Sequence, residues 1–214
     1  MGYLEFPKDL SALARTDKYL HNLITPYLYS RDLQSCHPRA LLWAAWHGQI
    51  ETVQNSLSAV NYIKKRERDF DAHTKLNVKD TYGGTPLSRA AQNGHALVVK
   101  LLLAREEVEP NCQDFQKQTP LMLAALYGHA LVVNLLLARD DVDRSLRSAQ
   151  GRTPLFEAAS KGHVLVVWLL LQTGANPEIR DMVGFTPLSL AAENGYVLVV
   201  RLLLQAGANP DLEE

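Results

Sequence analysis

Cysteine is scarce in this chain. Its 214 residues hold two, Cys36 and Cys112, too few to staple a small secreted domain. The first residues do not read as a secretory leader, so an intracellular, reducing compartment, cytoplasmic or nuclear, is expected. Long hydrophobic runs are also missing. The longest, such as Val164–Leu171, fall far short of the roughly 20 residues that cross a bilayer, which excludes a helical membrane span. Neither sign of charge dominates. A formal net charge of −1, with both signs mixed along the chain, excludes a broadly electrostatic nucleic-acid binder. No glycine-rich phosphate loop, nucleophile elbow or paired metal-binding motif occurs, so neither an enzyme nor a cofactor or metal site is expected.

What the chain does have is repetition. Thr119–Pro120–Leu121 opens a stretch that passes Ala124–Ala125 and Gly128–His129 and ends on Leu135–Leu136–Leu137. Copies begin at Thr85–Pro86–Leu87, Thr153–Pro154–Leu155 and Thr186–Pro187–Leu188, and the successive threonines are 34, 34 and 33 residues apart. A fixed period of this size marks a stacked-repeat architecture. The Thr–Pro pair reads as a helix start, with the hydroxyl accepting from a free backbone N–H and proline at the first helical position. The paired alanines allow close approach of a neighbouring helix. Glycine ends the first helix because positive φ costs it little. The second helix carries Val or Leu at nearly every position and must be covered on several sides. One such pair cannot hide its own apolar surface. Stacked copies can, at about 1.5–3 kcal/mol for each buried Leu or Val.

These landmarks, T-P-L, A-A, G-H and L-L in register after a polar turn such as Asp80–Thr81–Tyr82–Gly83–Gly84, resemble the ankyrin repeat. The resemblance implies an all-α solenoid of helix pairs joined by hairpin-like turns. There are departures from the pattern. The histidine usual after T-P-L is Ser88, Met122, Phe156 or Ser189, so its hydrogen bonds must be replaced or dispensed with. Lys117 stands where the turn glycine belongs, at a strain of about 1–2 kcal/mol, and predicts a looser or differently shaped third turn. Ser148 replaces the turn aspartate of the fourth repeat, a milder change.

Five repeats are expected: about 37–77, 78–110, 111–145, 146–178 and 179–214. The first is degenerate. Ala40–Gly48 keeps the alanines and the glycine but lacks Thr–Pro, and about 12 extra residues fall around Ala59–Leu76. They predict an extended second helix or a solvated loop, with Lys64–Asp71 a salt-bridged face rather than a nuclear-localisation signal. Residues 1–36 do not follow the repeat and are expected to be helical. Asp9–Thr16 and Tyr19–Ile24, closed by Pro26 and Tyr27, resemble the later part of an F-box without its L-P-x-E-L opening. Two roles stay open for this segment: a cap over the first repeat, or a contact for a ubiquitin-ligase adaptor. At the other end no polar capping repeat follows Gly207–Ala208–Asn209–Pro210. A monomer is expected unless that last repeat pairs.

His95, His129 and His163 occupy one repeat slot. Adjacent units stack ~8–10 Å apart, whereas zinc requires ligands at about 2.0–2.1 Å, so these histidines are expected to bond nearby backbone. The acidic pairs Glu106–Glu107 and Asp140–Asp141 read as solvated connectors. The resemblance further implies that a protein partner docks on the concave side, on the turn tips and outer positions of the first helices. In this sequence those positions are Trp46 and His47, then Tyr82, Gln92 and Asn93, then Phe115, Gln116, Gln118, Leu126 and Tyr127. They continue through Gln150, Arg152, Ser160 and Lys161 to Met182, Val183, Phe185, Glu193 and Asn194. The succession of rings reads either as hot-spot anchors or as packing between neighbouring turns.

Overall fold

The computed structural model describes residues 29–33 and 39–210, and among them every regular element is helical. The F-box-like stretch, Cys36 and the last four residues lie outside the described set, apart from Tyr29, which is helical. The helices are α1 (Ala40–His47), α2 (Ile50–Lys64), α3 (Ala72–Leu76), α4 (Pro86–Gln92), α5 (Ala96–Leu103) and α6 (Pro120–Leu126). They continue with α7 (Ala130–Leu137), α8 (Pro154–Ser160), α9 (Val164–Gln172), α10 (Pro187–Glu193) and α11 (Val197–Gln205).

The predicted caps are in place. Thr85, Thr119, Thr153 and Thr186 each accept, through Oγ1, the amide of the residue three positions on, at 3.2, 3.2, 3.3 and 3.1 Å. Proline follows each of them at the first helical position. The slot that lacks histidine is filled in two ways. Ser88 and Ser189 donate to the cap carbonyls of Thr85 and Thr186 at 2.9 and 3.0 Å. Met122 and Phe156 are fully buried and dispense with the hydrogen bond, trading it for apolar burial.

The first helices α1, α4, α6, α8 and α10 stack in chain order, and the second helices α2, α5, α7, α9 and α11 form a parallel row behind them. Leu102, Leu136, Leu170 and Leu203 are completely buried and belong to one continuous core. The alanine pairs let the first helices close up: Ala90, Ala91, Ala124, Ala125, Ala158 and Ala159 have no exposure. In the last repeat Ala191 is buried but Ala192 is exposed, because no described first helix stacks beyond α10.

The inserted residues take both expected forms. Helix α2 runs for 15 residues where α5 has 8, and a loop and the short α3 follow it. Lys64 at its end pairs with Glu107 at 2.6 Å, and Arg105 approaches the same carboxylate at 3.5 Å. Glu107 is therefore half-buried and tied down, not simply solvated as its sequence position suggests.

The third turn is not looser, contrary to expectation. Lys117 adopts φ 57° and the turn closes as its neighbours do: Asp114 N donates to Gln118 O at 3.1 Å and Lys117 N to Asp114 O at 2.9 Å. The corresponding bonds around Asp80 are both 3.0 Å. Two further amides, of Gln116 and Gln118, donate to Asp114 Oδ1 at 2.9 and 2.8 Å. Bonds to a carboxylate contribute about 1.5–3 kcal/mol each, so together they outweigh the backbone strain. In the fourth turn Ser148 Oγ accepts the same pair of amides at the longer distance of 3.3 Å.

Candidate protein-binding face

A repeat is joined to the next at three levels. At the turns, Phe115 N donates to Tyr82 O at 3.1 Å, Ala149 N to Gln116 O at 2.8 Å and Met182 N to Gln150 O at 2.9 Å. The turn tips therefore form a row linked through backbone from one repeat to the next. In the connectors, Asn77 Nδ2 donates to Glu107 O and Asn111 Nδ2 to Asp141 O, at 2.7 and 2.6 Å. Between the helices runs a series of rings. His95 Nε2 lies 2.9 Å from Trp46 O, and the same atom of His129 and His163 lies 3.0 Å from Gln92 O and Leu126 O. The histidines thus bond backbone of the preceding repeat, as expected. No group of three metal-ligating side chains comes together among the described residues.

Each ring sits over the glycine that ends the preceding first helix. A Cβ at Gly94 would lie 2.6 Å from His129, at Gly128 2.7 Å from His163 and at Gly162 2.7 Å from Tyr196. Over Gly195 there is nothing within 4 Å. The glycine accordingly serves two purposes, a positive φ and room for the neighbour's ring. Sequence reading found only the first.

The tips carry the side chains named above. Tyr82, Phe115, Met182 and Val183 are 71–78 % exposed, the largest values among the exposed apolar side chains apart from Leu131. Lys161 is exposed, and so, less strongly, are Trp46, Tyr127 and Phe185. His47 is exposed but tied back, with Nδ1 2.8 Å from Trp43 O and its ring stacked on that indole. Gln118, Leu126 and Arg152 are half-buried. The first two hold the scaffold through their backbone groups, and the Arg152 guanidinium is occupied with Asp181 at 3.2 Å and with the Phe156 ring at 5.0 Å.

Sequence reading missed Arg89. Its guanidinium lies over both the Trp46 and Tyr82 rings, 5.2 and 5.8 Å from their centroids. Asp80 anchors it at 2.6 and 2.9 Å, and Gln92 accepts a further bond at 2.8 Å. Two rings of the face are thus placed by one buried cation. Burial opposes the charge on Asp80, but the bonds from Arg89 and from the Tyr82 and Gly84 amides prevail and hold the carboxyl below its ordinary range. Glu157, in the same helical slot of α8, was missed as well. It is only 4 % exposed, and burial raises its carboxyl above the usual range against the pull of Arg152 and Lys161.

Helix pairs stacked in register, with turns projecting from one edge, define a helical-repeat solenoid. The family model for ankyrin repeats in three copies matches residues 41–145 and 140–214, and the chain belongs to the ankyrin-repeat family, whose members are generally non-enzymatic protein-interaction modules. No curated protein matches it. No helix among the described residues is long and apolar enough to cross a membrane.

Proposed function

We propose that the chain is a non-enzymatic, intracellular scaffold that captures a protein partner on the face made by its turn tips and first helices. The observation that carries this reading is the set of exposed apolar side chains at three of the four tips, Tyr82, Phe115, and Met182 with Val183, the tip between Phe115 and Met182 carrying Ala149 and Gln150, on backbone linked from tip to tip. A surface ordered in advance loses little entropy on binding, and aromatic anchors make good hot spots. The partner that fits presents apolar pockets or a strip for these side chains and polar groups for Lys161 and the turn amides. The test replaces Phe115 and Tyr127 with alanine. Melting should stay within a few degrees of the parent while capture of the partner from lysate, read by quantitative affinity purification, falls sharply. Unchanged capture places the partner elsewhere.

A second reading, a substrate receptor of a ubiquitin ligase, is supported by the resemblance of Asp9–Tyr29 to the later part of an F-box. Direct titration of the chain with the ligase adaptor decides it, and absence of binding removes it.

A further inference from the structure

We propose that the second helices carry another docking surface, independent of the turn-tip face, whose occupant is an amphipathic helix with an apolar residue at every seventh position and carboxylates along its rim. Three residues beyond each helix-ending glycine the chain places a leucine: Leu97, Leu131, Leu165 and Leu198, with exposures of 61, 75, 58 and 56 %. These residues contribute little to the core, which Val98, Val99, Leu102 and their equivalents fill from the opposite side of the same helices. Trp168 and Val197, 45 and 67 % exposed, widen the stripe. In the first repeat the same slot is Glu51, so the stripe stops there. Together these groups expose on the order of 500 Å² of apolar surface, toward the upper end of the roughly 300–600 Å² found as the largest patch of a monomer.

Charge narrows the occupant. Helices α5, α7, α9 and α11 contain no carboxylate, and their only charged side chains are Lys100 and Arg201, both exposed and three residues beyond a leucine. A second copy of this chain would bring cation against cation, whereas carboxylates on a partner complement them. Pitch narrows it further. The leucines come once per repeat, roughly 8–10 Å apart. Seven residues of α-helix rise about 10.5 Å, so one helix can set an apolar side chain beside each leucine in turn. A lipid surface has no such period.

The probe is a fluorescein-labelled helical peptide of about four heptads, with leucine at every seventh position and glutamates beside it. A shuffled peptide of identical composition is the control. Saturable binding to the full chain is expected, and the shuffled peptide should bind at least tenfold more weakly. The double variant Leu131→Glu/Leu165→Glu should also lose at least tenfold while keeping its helical circular dichroism. If that variant is misfolded, Lys100→Glu/Arg201→Glu replaces it and should weaken the peptide severalfold. Phe115→Ala/Tyr127→Ala should leave this binding unchanged, which separates it from the turn-tip face. The proposal is overturned by absence of saturable binding, by equal binding of the shuffled peptide, or by retention in the folded leucine variant. It is equally overturned if phosphatidylserine vesicles are bound and the peptide is not, or if sedimentation shows a self-association that the leucine variant abolishes.

Discussion

Replacing Gly128 with alanine separates the two purposes of the helix-ending glycine. Gly128 has φ 76°, and a non-glycine residue held there loses about 1–2 kcal/mol. The new Cβ would also stand 2.7 Å from the His163 ring, which must withdraw. Withdrawal breaks the 3.0 Å contact of His163 Nε2 with Leu126 O, a loss of about 0.5–1.5 kcal/mol. Alanine restricts the unfolded chain and returns roughly 0.4–1 kcal/mol of this. The expected net destabilisation is about 0.5–3 kcal/mol. The informative measurement is a double-mutant cycle by urea unfolding. In a His163→Ala background the Cβ meets no ring, so Gly128→Ala should cost only its backbone strain. The coupling between the two sites should be about 1 kcal/mol. Equal costs in both backgrounds would refute the ring-seating argument and leave glycine with its conformational role alone.

Other consequences follow from single side chains. Lys117→Gly relieves a positive φ without touching the turn hydrogen bonds and should stabilise the chain by about 0.5–1 kcal/mol, read from the urea midpoint. Asp80→Asn weakens the anchor of Arg89 and should cost about 1–3 kcal/mol at neutral pH. Because the folded Asp80 carboxyl titrates below its unfolded value, its stabilisation is present above the unfolded value and lost as pH falls through the folded one; the Asn variant should lack that part of the acid dependence. Glu157 behaves in the opposite sense. Its folded carboxyl titrates above the unfolded value, so its presence destabilises progressively as pH rises across that interval. Glu157→Gln should raise the melting temperature near pH 7 and change it little near pH 4, and a larger gain at the acid end would contradict the assignment.

The parts of the fold that were legible in the sequence are those a local rule dictates and the repeat then states several times. Thr–Pro caps, alanine pairs and buried Leu102, Leu136, Leu170 and Leu203 each answer to helix chemistry within a few residues. Contacts between repeats were harder to read. Nothing within a few residues of Gly128 announces that His163 fills the space above it, because capping already accounts for the glycine. Lys117 differs again: its strain is visible in the sequence, but the two amides that converge on Asp114 are visible only in the folded turn. Arg89 and Glu157 were overlooked because they break the apolar character of a slot occupied elsewhere by Leu123 and Leu190. In a periodic chain the exceptions carry the information that averaging over copies discards.

The tips are joined by backbone hydrogen bonds that any residue but proline could make. Phe115 at 75 % and Met182 at 78 % exposure bury too little surface to repay the fold for being apolar. Arg152 presents the contrary case, since its charge is bound to Asp181 and its plane lies on Phe156, so removing it would disturb two repeats together. A loss of capture in Phe115→Ala/Tyr127→Ala with unchanged melting therefore speaks for contact with a partner. The same loss after Arg152→Ala would not, because it cannot be separated from damage to the stack. The side chains that tell most about binding are those the fold could do without.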